Sequence, residues 1–227
     1  MTDHMLKSYE MELGNLRQKI LHMGETVGGM IAHAAQYLFE GNFDLGAHTI
    51  EKDREVNALD LEIDRLCIDI LARYQPVAVD LRAISTAMRV SFDLERVGDE
   101  AVNICEQAAE LGKQVLPDGF YSLPEMAGAA QGMFRDAMAA YENHDNDLAQ
   151  RVCDSDKSVD EFHEDTVRRL SSLAAEGSVP CGAATRLMFV SKYLERIADH
   201  ATNIAEMVIY LEKGVMVRHA TEHAREP

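Results

Sequence analysis

Apolar residues recur every three or four positions along most of this chain, which is the spacing of one face of an α-helix. Glycine, proline and other turn residues separate the helical stretches, and no β-branched or aromatic run alternates over the length of a strand. We expect Asp44 to cap the second stretch and Gly112 to follow the third. The pattern predicts an all-α protein with six helices, over residues 7–40, 44–74, 80–111, 125–143, 147–176 and 183–212.

The segment 94–106 returns one hundred residues later as 194–206, with polar as well as apolar positions kept. Earlier positions match at an offset of 103, so the second copy lacks three residues in the connection around Pro180. Short connections make consecutive helices antiparallel, so the repeat predicts two tandem antiparallel three-helix bundles. We expect domains at residues 1–115 and 120–214, and a flexible C-terminal tail at 215–227.

The repeat keeps acidic residues at a spacing of four on the third and sixth helices. At 100° per residue, Glu95 and Asp99 lie about 100° and about 140° from Leu94, on the shoulder of a small-residue packing face. The second and fifth helices carry another row at the same spacing, and rows on adjacent helices can face each other across a groove. The candidate metal ligands are Asp53, Asn57, Glu95, Asp99, Asp156, Asp160, Glu195 and Asp199.

Two interpretations of these rows stay open. One is a solvated acidic edge, with Arg96 and Arg196 offsetting the charge. The other is a metal site, because converging carboxylates are costly unless they are protonated or neutralised by a cation. We favour the metal site because the rows are repeated, and oxygen ligands suit Mg, Mn, Ca or ferric iron better than zinc.

Histidine adds little to these rows. A ferritin-like di-iron site needs Glu-x-x-His pairs, and the nearest sequence is the single pair Asp160 and His163. His200 adjoins Asp199, but Glu100 takes its place in the first repeat. We therefore expect His200 at the surface rather than in a site.

The net charge of −17, from 39 acidic and 22 basic residues, opposes binding to nucleic acid or to anionic membranes. It favours a protein partner or a bound cation. The four cysteines are far apart and form no C-x-x-C motif, as expected for reduced thiols. No signal peptide and no apolar run of membrane-spanning length are apparent, so we expect a cytoplasmic protein. No nucleophile has a plausible base, so we expect no enzymatic activity.

Taken together, these residues resemble the PhoU family of phosphate-uptake regulators. The likeness rests on the segment 94–99 with Asn103 and Ile104, on its second copy at 194–206, and on Gln75-Pro76 followed by residues 80–82. It extends from the first helix to about Gly214. The three motifs in this order, in a chain of this length, make the resemblance specific.

The resemblance implies two three-helix bundles and a cytoplasmic, non-catalytic accessory of the phosphate ABC transporter. Such a protein would couple the transporter ATPase to a sensor histidine kinase, and repress phosphate-starvation genes when phosphate is plentiful. It also implies a homodimer, and E/D-x-x-x-D motifs that hold iron or zinc clusters in some members. An alternative is a metal-binding helical protein for storage or metal-assisted hydrolysis.

Carried over to this chain, the motif acids are the pairs Glu95 with Asp99, Glu195 with Asp199, and Asp156 with Asp160. Asp53 is the partner in the first bundle, but Asn57 stands where its second acid would be. An amide oxygen can ligate a metal, although it carries no charge. We therefore expect two unequal sites, with Fe, Zn, Mn or Mg as candidate ions.

Overall fold

The computed structural model describes residues 2–112 and 122–214, with side chains from residue 5 onward, and the described residues contain helices and no strand. The connection at 113–121 and the predicted tail at 215–227 lie outside the described residues. The helices are α1 (Thr2–Glu40), α2 (Phe43–Tyr74), α3 (Ala78–Leu111), α4 (Ser122–Asn143), α5 (Asn146–Ala175) and α6 (Cys181–Lys213). The predicted all-α class with six helices is confirmed.

Helices α1 to α3 pack together as one bundle, and α4 to α6 as a second. This arrangement confirms the two tandem three-helix bundles that the internal repeat predicted. The bundles meet mainly where α3 packs against α6, and also where α1 packs against α4. The exact domain limits stay a prediction.

Several helices begin earlier than the sequence pattern indicated. α2 begins at Phe43 with Asn42 as its N-cap, so Asp44 lies in the first turn and the predicted cap was wrong. The carboxylate of Asp44 in the first turn still interacts favourably with the positive end of the helix dipole. Pro124, which directly precedes the predicted fourth helix, lies in the first turn of α4, where a missing N–H breaks no helical hydrogen bond. Gly112 follows α3 with a positive φ of 60°, as predicted.

The predicted small-residue face of α3 is buried at every position. Its members are Ala87, Ser91, Leu94, Gly98, Ala101, Cys105 and Ala108. A Cβ built on Gly98 would lie 3.5 Å from Cγ1 of Val56, so α2 approaches this face to ordinary van der Waals contact. This close approach brings the acidic shoulder of α3 next to the row on α2.

Helices α3 and α6 run antiparallel, since partners later along α3 lie earlier along α6. The contacts in order are Arg82 Nε to the Leu211 carbonyl oxygen (3.4 Å), Asn203 Nδ2 to Asp93 Oδ1 (3.1 Å), and Arg196 Nη1 to Glu100 Oε1 (3.1 Å). Asp93 and Glu100 are buried, so this polar contact lies inside the junction between the bundles. Over the residues that the structure describes, no helix is both long and apolar enough to cross a lipid bilayer.

Candidate metal centre

Three of the predicted acids come together in the second bundle. Asp160 projects from α5, while Glu195 and Asp199 lie one turn apart on α6 and so face the same side. One carboxylate oxygen from each of the three lies within 4.8 Å of the others. No other such group of three His, Cys, Asp or Glu ligand atoms occurs among the described residues.

Asp156 adds a fourth carboxylate, one turn before Asp160 on α5. Its Oδ1 accepts a hydrogen bond of 3.2 Å from the hydroxyl of Thr202. Burial raises the pKa of Asp156, and the charge of Glu195 raises it further. The carboxylate of Asp156 therefore interacts electrostatically with the group of three. Asp156, Asp160, Glu195 and Asp199 are called the second-bundle cluster below.

Repulsion between the carboxylates of the second-bundle cluster contributes to the raised pKa values of its members. Burial, followed by the charges of Glu195, Asp156 and Asp160, raises the pKa of Asp199 to about 6. The pKa of Asp160 is also raised, first by burial and then by Asp156 and Glu195. Above about pH 6 the cluster therefore carries unfavourable negative charge, which a proton or a cation relieves.

One base already offsets part of this charge. Nζ of Lys192 lies 2.5 Å from Oε2 of Glu195, at a spacing of three on α6. Lys192 was not among the residues predicted from the sequence, although its spacing from Glu195 is visible there. A cation bound between the carboxylates would compete with this ammonium group for Glu195.

The equivalent residues of the first bundle, Asp53, Asn57, Glu95 and Asp99, are called the first-bundle row. Burial, and after it the charge of Asp99, raises the pKa of Glu95. Burial followed by the charge of Asp53 raises the pKa of Asp99. Arg96 lies beside both acids, with Nε 3.4 Å from Oε2 of Glu95 and Nη1 3.6 Å from Oδ2 of Asp99. The row is thus partly neutralised by the protein's own base.

Asn57 acts as a donor within the first-bundle row. Its Nδ2 donates a hydrogen bond of 3.0 Å to Oδ2 of Asp53. The other oxygen of Asp53, Oδ1, is buried and has no hydrogen-bond partner among the described residues. The predicted asymmetry between the two bundles therefore has a structural form: an amide that donates to Oδ2 of Asp53 takes the place of the carboxylate that Asp160 supplies in the second bundle.

The donor set fits a hard cation. The second-bundle cluster offers carboxylate oxygens within 4.8 Å of one another, which suits Mg²⁺, Mn²⁺, Ca²⁺ or ferric iron. Zinc fits less well, since it more often recruits imidazole or thiolate. In the first-bundle row, Oδ1 of Asp53 has no hydrogen-bond partner among the described residues and is therefore a candidate ligand atom.

One further pair extends both rows and was missed from the sequence. The hydroxyl of Ser91 donates a hydrogen bond of 2.7 Å to Oδ1 of Asp60, whose charge also raises the pKa of Glu95. At the matching positions of the second repeat, Nδ1 of His163 lies 2.9 Å from Oγ of Ser191. The offsets of 103 and 100 that align the repeats match both pairs, so the signal was present in the sequence.

The expected surface position of His200 was wrong. Its Nδ1 lies 2.8 Å from Oδ1 of Asp93, at the junction between α3 and α6. Glu100, its counterpart in the first repeat, is buried at the same junction and pairs with Arg196. Arg196 therefore does not offset the second-bundle cluster in the way that the solvated-edge interpretation requires, whereas Arg96 does offset the first-bundle row.

Both repeats match one family model. The model described as "PhoU domain" matches residues 20–108 and again residues 123–208. The chain is 35% identical over 220 residues to the phosphate-specific transport system accessory protein PhoU homolog of Pseudomonas putida, covering 96% of this chain and 86% of that protein. It is 32% identical over 216 residues to the accessory protein PhoU of Escherichia coli (strain K12), covering 95% of this chain and 90% of that protein.

Solved structures agree in fold. The crystal structure of PhoU from Pseudomonas aeruginosa superposes with a TM-score of 0.88 at 34% identity, over 91% of this chain and 100% of that chain. The phosphate transport system regulatory protein PhoU from Streptococcus pneumoniae superposes with a TM-score of 0.85 at 26% identity, over 92% of this chain and 99% of that one. The two-bundle architecture is thus common to all three.

Proposed function

This chain belongs to the PhoU family, and we propose that it acts as an accessory and regulatory protein of phosphate transport. The observation that carries the proposal is the match of both repeats to relatives of that name over nearly the whole chain. A resemblance confined to one bundle would support only a shared fold. Here the family model matches both bundles.

In more detail, the protein is a non-catalytic cytoplasmic adaptor between the phosphate ABC transporter and a sensor histidine kinase. It signals that phosphate is plentiful and thereby keeps phosphate-starvation genes repressed. The net charge of −17 supports docking onto basic surfaces of the transporter ATPase or of the kinase. The same charge opposes direct binding of free phosphate. Two copies associate in the working form.

A bound cation is part of this proposal. Asp156, Asp160, Glu195 and Asp199 would hold it in the second bundle, and Asp53, Glu95 and Asp99 in the first. When bound, the cation supplies positive charge to an otherwise acidic surface. The protein's own carboxylates fix where that charge lies, and Lys192 and Arg96 limit how strongly the free surface repels an anion.

A deletion strain tests the regulatory role. Loss of this protein should raise expression of phosphate-starvation genes in high phosphate, and a plasmid copy should restore repression. Deleting the kinase as well should return expression to the repressed level. Normal repression in the deletion strain would overturn the role, and persistent expression without the kinase would overturn the coupling to it.

Variants separate the cation from the regulatory role. Asp160→Asn with Glu195→Gln and Asp199→Asn should abolish Mn²⁺ binding to the second bundle and weaken repression. A matched triple variant of exposed acids, Asp154→Asn with Glu161→Gln and Glu176→Gln, removes the same charge away from the cluster and should leave both unchanged. If both triple variants repress normally, the cation is not part of the regulation.

A metal storage or metal-assisted hydrolytic role is the second candidate, and the close approach of three carboxylates favours it. It predicts iron uptake beyond one or two ions per chain, or hydrolysis of phosphate esters that depends on added metal. Both activities should vanish in the cluster triple variant. Saturation at no more than two ions without turnover would eliminate this candidate.

A further inference from the structure

The outer face of α2 carries four large apolar side chains that are about half exposed. They are Phe43 (48%), Ile50 (47%), Leu61 (58%) and Ile68 (53%). At 100° per residue, all four lie within about 20° of one another around the helix, in a line roughly 37 Å long. These four residues are called the α2 stripe. Among the described helices, α2 packs against α1 and α3, and neither α4, α5 nor α6 covers the stripe.

The fold itself does not require an apolar surface here. In the second repeat, α5 takes the place of α2, and the matching positions at an offset of 103 are Asn146, Cys153, Glu164 and Ser171. Among the described residues, α5 has no exposed large apolar side chain. Two helices at equivalent places in the two bundles thus differ in this surface. The apolar stripe on α2 is therefore not a requirement of the three-helix fold, and exposed apolar surface of this kind is typical of an interaction site.

The spacing of the α2 stripe indicates which partner covers it. The intervals between its members are seven, eleven and seven residues, and they read the same in both directions. A surface with this property matches itself when a second copy is turned by a two-fold axis, which is the condition for an isologous contact. We propose that α2 packs antiparallel against α2 of a second copy of this chain.

In this register every apolar residue meets an apolar residue. Phe43 of one copy lies opposite Ile68 of the other, and Ile50 lies opposite Leu61. The two-fold axis passes between Arg54 and Asn57, which lie opposite each other across the contact. Eight half-exposed side chains leave water together, which favours association in proportion to the apolar area removed.

The polar centre of the contact also pairs donor with acceptor. Asn57 already uses its Nδ2 on Asp53, which leaves its Oδ1 to accept from the exposed guanidinium of Arg54 in the other copy. The net charge of each copy opposes the approach, so the contact strengthens with added salt. This contact assigns a surface to the self-association proposed above, and the role in phosphate transport does not depend on it.

Light scattering after gel filtration tests the surface. At about 10 μM and 150 mM NaCl, the wild-type mass should be twice the 25.3 kDa of one chain. Phe43→Asn with Leu61→Glu and Ile68→Ser gives α2 the residues that α5 tolerates, so the variant should fold and elute as a monomer. Phe189→Ser removes a side chain of 50% exposure on α6, and should stay dimeric. A wild-type monomer between 1 and 100 μM, or a dimeric triple variant, overturns the proposal.

Cysteine cross-linking tests the antiparallel register. In a Cys181→Ser background, which removes an exposed thiol, Ile50→Cys and Leu61→Cys chains are made separately. A mixture of the two should form a disulfide-linked dimer under mild oxidation. Each alone should not, because two copies of residue 50, or of residue 61, lie eleven residues or about 16 Å apart along the contact. Cross-linking of Ile50→Cys with itself, and not in the mixture, would overturn the register.

Discussion

Nδ1 of His200 lies 2.8 Å from Oδ1 of Asp93, and this contact joins α6 of the second bundle to α3 of the first. Asn203 donates to the same carboxylate oxygen, at 3.1 Å. Asp93 is buried, so its carboxylate depends on these two partners instead of water. The two bundles are therefore held in register by polar contacts as well as by apolar packing.

His200→Ala should lower the free energy of unfolding by about 1–3 kcal/mol, because it leaves a buried carboxylate one partner short. Urea unfolding at pH 7 measures this change. His144→Ala is the control, since His144 also contacts a carboxylate, Glu212, but at the exposed surface. The control should change stability by no more than about 0.5 kcal/mol. Equal effects of the two variants would contradict a structural role for the Asp93 contact.

Arg96 and Arg196 occupy the same position in the two repeats and should differ in their contribution to stability. Arg196 pairs at 3.1 Å with the buried Glu100, whereas Arg96 pairs at 3.4 and 3.6 Å with partly exposed acids. Arg196→Gln should cost about 1–2 kcal/mol, since it removes the cation paired with a buried carboxylate, and Arg96→Gln less than about 0.5 kcal/mol. Thermal unfolding of the two variants at equal pH compares them. A larger loss for Arg96→Gln would show that the junction between bundles tolerates Glu100 without its cation, held by the hydrogen bond from Nδ2 of Asn103.

The different partners of Arg96 and Arg196 show which contacts can and cannot be predicted from the sequence alone. The helical period and the turn residues predicted all six helices, and the spacing within α3 and α6 put the acids on the correct shoulder. The spacing of residues along a helix determines the direction of each side chain around that helix. It does not determine which other helix packs against that side. Glu100 and His200 lie on the opposite shoulder, which faces a helix of the other bundle. The sequence of either repeat does not indicate which helix that is.

Asn57 marks a second limit. Its place in the row was visible from the sequence, and so was its lack of charge. Whether its amide offers oxygen or nitrogen to Asp53 depends on the side-chain rotamer within the folded row. The structure has nitrogen facing Asp53, at 3.0 Å from Oδ2. Similarly, the N-cap position of α2 falls at Asn42, whose side chain makes no capping hydrogen bond, and not at Asp44. That boundary depended on where the preceding turn closed, which local propensity does not determine.

The second-bundle cluster should make stability depend on pH in the absence of metal. The pKa of Asp199 is raised from 3.8 to about 6, so the folded protein binds this proton more tightly than the unfolded chain does. Lowering the pH from 7.5 through 6 should therefore stabilise the protein, with the gain complete below about pH 4. Partial exposure screens the effect, so we expect roughly 1 kcal/mol from this group.

Asp199→Asn should abolish most of that dependence. In EDTA at pH 7.5 the variant should be more stable to urea than the wild type, and the difference should shrink toward pH 5. Asp154→Asn, an exposed acid on α5, should follow the wild-type curve. Lower stability of Asp199→Asn at both pH values would contradict the repulsion, and would mean that the charged form is stabilised by its neighbours.

Asn57→Asp should convert the first-bundle row into a closer equivalent of the second-bundle cluster. The substitution places a second carboxylate beside Asp53, at the position that Asp160 occupies in the other repeat, and it removes the amide that now satisfies Oδ2 of Asp53. Since site affinity for a hard cation rises with the number of charged ligands, we expect Mn²⁺ to bind about tenfold more tightly there. Calorimetric titration of Mn²⁺ measures this, in a background where Asp160→Asn, Glu195→Gln and Asp199→Asn silence the other site. Ala58→Asp adds the same charge one residue along α2, on an exposed side chain outside the row, and controls for long-range attraction. If Ala58→Asp raises the affinity as much as Asn57→Asp does, the row is a general acidic surface and not a site.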